Sequence, residues 1–366
     1  MNILILDLFE IWCFGFGIYT AYQHWTVLDM AHTAKIAIIG AGAIGGVVGG
    51  YLTQAGEDVV VVGKKEQVRA LKENGLTIEG VRGKVQVAVR AVEGLEEEVD
   101  LIVLAVKTQD VASSLEQHTF HGLACPVVTT QNGVRADTLL AERIDPQRIA
   151  SSIVMFGATY LTPGKIVHNF EGDLIMGNYL KGSEGRMEGI VKIVEKVFPV
   201  IVTEDIMGMK WLKLFVNLNN CVPALIGKSM QECFADIHLC TVSIALLKEG
   251  LQLTEQTGIN LHSLPTYPVE RLHVLTSLPL EESARLFSKI MTNLSKEPLY
   301  GSILQSIRRG KPSEIDYLNG ELVALAKERG CSAPLNEKVV GMVHQVEESK
   351  KFFSPHEVIQ ELSMTI

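Results

Sequence analysis

Gly40, Gly42 and Gly45 stand in the spacing GxGxxG within "KIAIIGAGAIGGVVGGYLTQAGEDVVVVGKKEQ", residues 35–67. Glycines so spaced between an apolar strand and a helix serve dinucleotide binding. The first permits a tight turn, the second lets the backbone approach a pyrophosphate, and the third lets helix and strand pack closely while the helix N-terminus faces the anion. The candidate cradle is Gly40, Ala41, Gly42, Ala43, Ile44 and Gly45. An NAD site usually carries Asp or Glu at the end of the next strand, where it accepts hydrogen bonds from the ribose. Here that strand ends in Lys64 and Lys65. Ammonium groups cannot accept from a hydroxyl but put positive charge where a 2′-phosphate would lie, so NADPH/NADP+ is expected over NAD(H). The competing reading leaves both lysines solvated and turns Glu66 back to the ribose.

Two further apolar runs end in polar residues, Lys107 after "LIVLAV" and Asn132 after "CPVVTTQ". Either alone is an ordinary loop residue, but both fall on the ligand-binding end of a parallel sheet. In "MGMKWLKLFVNLNNCVPAL", Lys213, Asn217, Asn220 and Cys221 share one helical face. A narrow, amide-rich stripe in so apolar a helix points into a cleft, since a solvated face tends to be rich in charge. Glu314 falls at a helix start, with Ser313 as the expected N-cap and Asp316 three residues on.

The elements that must position these groups divide the chain in two. Short β-branched runs at 36–39, 59–62, 101–106, 126–130, 153–156, 166–169, 173–176 and 200–203 alternate with helical stretches, the pattern of a parallel α/β sheet. Beyond residue 204 the periodicity is helical, at 206–226, 229–258, 281–294, 298–309, 313–329 and 335–348, with 261–279 the most loop-like segment. The expected fold is α/β: an N-terminal Rossmann-type dinucleotide-binding domain at 35–203, followed by an all-α C-terminal domain at 204–366. Residues 1–34 read as an extension outside the fold, with Met30 as the natural start.

A net charge of −9 over 366 residues argues against nucleic acid as a partner. Six cysteines without a CxxC pair argue against zinc and against a disulfide framework, so no metal and a reducing cytoplasm are expected. Residues 11–22 carry no charge but fall short of the roughly 20 apolar residues of a membrane span. No membrane association is expected, and a homodimer is left open.

The motifs GAGAIGG (40–46), VKTQ (106–109), QNG (131–133), KWLKLFVN (210–217) and GKPSEIDYLNG (310–320) resemble, in order and spacing, those of the ketopantoate reductase (2-dehydropantoate 2-reductase) family, from about residue 35 to the end. The resemblance implies a cleft between a Rossmann and a helical domain, and NADPH-dependent reduction of 2-dehydropantoate to (R)-pantoate on the route through pantothenate to coenzyme A. By position it makes Lys213 the proton donor and a substrate contact. Lys107, Asn132, Ala158 and Glu314 become cofactor contacts, and Asn217 and Ser302 substrate contacts. An ammonium fits that role, because hydride arriving at a carbonyl carbon builds negative charge on oxygen that a cation stabilises and protonates.

Two positions depart from the family pattern. Cys221 stands where an asparagine is usual, with Asn220 on nearly the same face, and Gln231 replaces another substrate-binding asparagine. Both touch the substrate and leave the hydride chemistry alone. A different branched 2-oxo acid, or a catalytically silent NADP-binding sensor, therefore stays open. A β-hydroxyacid or opine-type dehydrogenase shares the two-part plan but would not be expected to carry KPSEIDYLNG.

Overall fold

The computed structural model describes residues 33–118, 125–180 and 184–363. Met30 and most of the expected extension lie outside the described residues. Ala34 belongs to the fold, its amide donating to the Glu57 carboxylate at 2.9 Å.

From β1 (Lys35–Ile39) the chain passes through α1 (Ala43–Gln54), β2 (Asp58–Val62) and α2 (Lys65–Asn74) to β3 (Leu76–Gly80), β4 (Val85–Val87) and β5 (Arg90–Val92). Next come β6 (Leu101–Leu104), α3 (Val111–Gln117), β7 (Val127–Thr129), α4 (Arg135–Ala141) and β8 (Ile149–Val154). β9 (Gly157–Thr162), β10 (Lys165–Phe170), β11 (Leu174–Asn178), α5 (Glu184–Val194) and β12 (Val200–Val202) complete the sheet half. The main sheet has the order β12-β11-β8-β7-β6-β1-β2-β5. Its centre is parallel, and Ile39 of β1 is level with both Val62 and Leu104. The chain leaves β1 toward β2 on one side and returns to β6 on the other, so a crevice opens beyond these strand ends, where α/β sheets bind ligands.

A second sheet, β4-β3-β10-β9, covers the far side of α1. Its existence explains the glycines of that helix. A methyl at Gly49 would lie 3.1 Å from Ile38 of the main sheet, whereas methyls at Gly46 and Gly50 would lie 2.0 Å and 2.5 Å from Ile166 and Ile78 of the second. α1 is thus held closely on two faces. The sequence pattern anticipates neither this sheet nor β3, β4, β5 and β9; strands as short as Val85–Val87 and Arg90–Val92 carry too few residues for a periodic signal. The run expected at 153–156 is the tail of β8, which begins at Ile149.

From Ile206 the regular elements among the described residues, apart from 3₁₀ turns and an isolated Leu264–Tyr267 bridge, are helices: α6 (Ile206–Leu218), α7 (Cys221–Ile226), α8 (Met230–Phe234), α9 (Ile237–Gln256), α10 (Val269–Ser277), α11 (Leu280–Thr292), α12 (Ser302–Arg308), α13 (Asn319–Arg329), α14 (Pro334–Ser349) and α15 (Pro355–Ser363). Leu212, Phe215, Leu246, Leu322 and Val339 lie at its core. Three expectations change. The helix read over 206–226 breaks at Asn219 and Asn220, because Pro223 has no N–H for the Asn219 carbonyl and its ring crowds that residue. The helix read over 229–258 restarts at Asp236, whose carboxylate accepts from the His238 amide at 2.8 Å. The loop-like segment 261–279 contains α10, anchored by Leu272 and Leu275.

Candidate active site

The glycine turn has the form its spacing demands. Gly40 has φ +111°, and a methyl there would meet the Ala105 carbonyl carbon at 2.7 Å. A methyl at Gly45 would come within 2.0 Å of the Gly40 oxygen. Around Gly42, at the N-terminus of α1, a methyl would meet nothing within 4 Å. The turn therefore presents free space at the helix end with the first amides of Ala43 and Ile44 beside it, a geometry that fits a phosphate. Ala41 is fixed from below, its oxygen accepting from Gln67 Nε2 at 2.9 Å. Gln67 Oε1 in turn accepts from the Lys64 amide at 3.0 Å. Lys64 and Lys65 are exposed at the end of β2, and among the described residues neither ammonium has an ion-pair partner.

Lys107 and Glu314 join the strand ends of the sheet half to the helical half. Lys107 Nζ donates to Ser306 Oγ at 3.0 Å and to the Pro312 oxygen at 2.6 Å. Burial lowers its pKa, against the pull of Glu314. Glu314 Oε1 accepts from both the amide and the hydroxyl of Thr108 at 3.3 Å, and burial raises its pKa. Glu314 does not open a regular helix. A 3₁₀ turn, Ile315–Tyr317, follows it, and α13 starts only at Asn319. Ser313 Oγ accepts from the Ile315 amide at 3.3 Å, while Asp316 is taken by His344 Nε2 at 2.9 Å and closes no capping box. Ala158 lies in β9 opposite His168. Two residues on, the Tyr160 oxygen accepts from Arg309, just past the end of α12, at 3.3 Å, which brings β9 to the helical half.

Helix α6 brings the polar stripe to the strand ends. Asn217 Nδ2 reaches Asn132 Oδ1 at 3.5 Å. One turn earlier, Lys213 is only partly exposed, and burial alone pushes its pKa down to about 8. Among the described residues no hydrogen bond or ion pair reaches its ammonium. Asn220 lies beside the start of α12, since a methyl on Gly301, the residue before Ser302, would sit 2.9 Å from Asn220 Oδ1.

Two expected substrate contacts are not presented. The helix break turns Cys221 into the core, where it is fully buried, donates to the Leu218 oxygen at 2.9 Å and has its pKa pushed up to about 12. Gln231 is occupied in holding a connector: Nε2 donates to the Ser295 and Glu297 oxygens at 3.1 Å and 2.9 Å, and Oε1 accepts from the Leu299 amide at 3.0 Å.

The seam between the halves holds residues that sequence reading passed over. Arg135 clasps Glu321 through Nε and Nη2, at 3.0 Å and 2.7 Å, and Lys210 is paired with Asp137. Gly133 approaches the Tyr317 oxygen so closely that a methyl would lie 2.4 Å from it. A signal for Lys210 was present, because it shares the stripe Ile206, Leu214 and Leu218, and a lysine on an apolar face needs a buried partner.

Among the described residues no group of side chains could hold a metal, and no helix is long and apolar enough to cross a membrane. The five described cysteines are free.

The fold is Rossmann-type, and its family and relatives make the chain an oxidoreductase acting on a CH–OH group. Residues 36–181 match the family "Ketopantoate reductase PanE/ApbA" and residues 205–347 match its C-terminal part. The chain is 31% identical over 314 residues to a 2-dehydropantoate 2-reductase of Pyrococcus abyssi, covering 84% of this chain and 96% of that one. It is 30% identical to the enzyme of the same name from Pyrococcus horikoshii, covering 82% and 94%. It belongs to the ketopantoate reductase family. Its fold is shared with D-mandelate dehydrogenase solved with NADH and anilino(oxo)acetate, at TM-score 0.74, 22% identity and 86% and 99% coverage. It is also shared with a PanE/ApbA family ketopantoate reductase from Ralstonia eutropha, at TM-score 0.72, 24% identity and the same coverage.

Proposed function

We propose that this protein reduces 2-dehydropantoate to (R)-pantoate with NADPH, on the route to pantothenate and coenzyme A. The observation that carries the reading is the Lys213 ammonium, unpartnered among the described residues, with a pKa brought down to about 8 by burial. It stands one turn from the contact between Asn217 and Asn132. The curated relatives named 2-dehydropantoate 2-reductase support the substrate, and the neighbour described with NADH supports a nicotinamide cofactor. Lys64 and Lys65 favour the phosphorylated form, because their charge has no other partner among the described residues.

The chain's residues divide the work. The glycine turn from Gly40 to Gly45 would cradle the pyrophosphate, Lys64 and Lys65 the 2′-phosphate, and Asn132, Lys107, Ala158 and Glu314 the nicotinamide side. When bound, NADPH supplies the hydride that the substrate C2 carbonyl carbon accepts. Lys213 donates a hydrogen bond to the carbonyl oxygen, steadies the charge that grows there and gives up its proton as the C–O double bond becomes a hydroxyl. The neutral amine regains a proton from water. Its lowered pKa eases the transfer while leaving the ammonium dominant at pH 7. Asn217, Asn220 and Ser302 orient the substrate.

A second reading keeps the reaction and changes the acid. With Cys221 in the core and Gln231 engaged, the substrate pocket lacks two amides of the usual pattern, which favours a more apolar branched 2-oxo acid. A panel of 2-oxo acids assayed with NADPH and NADH side by side decides between them. Lys213→Ala is expected to lower kcat by about 10²–10⁴-fold while the NADPH Kd stays within about threefold. Wild-type protein that binds NADPH but turns over no member of the panel would leave a silent NADP-binding sensor as the better account.

A further inference from the structure

Lys210 and Asp137 form an ion pair across the seam, Nζ to Oδ2 2.5 Å, with side chains 2% and 0% exposed. Asp137 also accepts from Ser151 Oγ at 2.7 Å and from Thr129 Oγ1. Its carboxylate thus gathers donors from β7, β8 and α6. Such a pair is a poor way to gain stability, because the cost of stripping water from both charges roughly cancels their attraction, and apolar groups of similar size often hold a fold as well or better.

What the pair does supply is register. Lys210 lies one turn before Lys213 on the same helix, and Asp137 lies in the helix that directly follows the Asn132 loop. Arg135 of that helix is clasped by Glu321 as well, so α4 is tied to two elements of the helical half. The contact this arrangement protects is delicate. Asn217 and Asn132 meet at 3.5 Å, the outer limit of a hydrogen bond, and a small slip of α6 along the strand ends would part them.

We propose that Lys210 and Asp137 are positioning residues for the reduction: the pair fixes α6 against the Asn132 loop and so sets where the Lys213 ammonium stands. The inference rests on the proposed reductase reading. Misplacing a catalytic group by about 1 Å costs on the order of 10²-fold in rate, so the effect belongs in kcat.

The test is the double variant Lys210→Met with Asp137→Asn, which removes both charges at nearly constant volume and leaves an acceptor for Ser151 and Thr129, so that folding does not fail for want of one partner. Expected are a melting temperature at or above wild type, an NADPH Kd within about threefold by fluorescence titration, and kcat down about 10–100-fold. Lys210→Arg, which keeps the cation, should recover part of the loss. Crystal structures of wild type and double variant should differ by about 1 Å in the placement of Lys213 relative to Asn132. Wild-type kcat in the double variant, or an unmoved Lys213, would overturn the proposal, as would a parallel collapse of stability, Kd and kcat. Wild-type protein inactive on every 2-oxo acid would instead break the reductase reading, and the displacement of Lys213 would still decide what the pair does.

Discussion

The two seams joining the sheet half to the helical half are made of different material. The inner one, Asp137 with Lys210 and Arg135 with Glu321, joins opposite charges directly to each other. The outer one sets Lys107 against a hydroxyl and a carbonyl, and Glu314 against the amide and hydroxyl of Thr108. These are neutral partners for charged groups. A ligand offering phosphate or ribose can replace them without stranding a buried charge, whereas nothing can replace Asp137 for Lys210. The inner seam behaves as a fixed joint and the outer seam as a set of exchangeable contacts.

That contrast can be broken. Asp137→Ala strands the Lys210 ammonium and is expected to cost about 3–5 kcal/mol, read by urea denaturation. A loss below about 1 kcal/mol would mean that the inner seam is not a joint. Activity should follow Lys213 with pH. With its ammonium as the proposed donor, kcat/KM for reduction should be level below its pKa of about 8 and fall about tenfold per pH unit well above it. An unchanged profile up to pH 10 would remove Lys213 from the chemistry. Glu314→Gln tests the outer seam. Thr108 keeps an acceptor, so stability should stay within about 1 kcal/mol, while the NADPH Kd rises roughly tenfold. A stability loss as large as that of Asp137→Ala would erase the distinction between the seams.

How much of this was legible depended on the distance over which each signal acts. The central strands announce themselves because a strand buried on both faces, such as Val59 to Val62, is a continuous β-branched run. The glycine turn is legible because its demands are local. The second sheet was hidden, since its packing is recorded only as glycines at 46 and 50 that serve equally well to extend a small helix face. Pro223 marks the break between α6 and α7, and a helix read straight through it placed Cys221 on the face of Lys213 and Asn217. The seam partners were out of reach of pattern reading: Lys107 with Pro312, or Lys210 with Asp137, are pairs that only the folded chain brings together.

The clamping of α1 between two sheets has a consequence for how tightly a nucleotide can be held. Because Gly46 and Gly50 press on one layer and Gly45 and Gly49 on the other, the amides at the head of that helix have no slack to lose. Association then carries little conformational penalty on the protein side, and more of the phosphate contact energy survives as affinity.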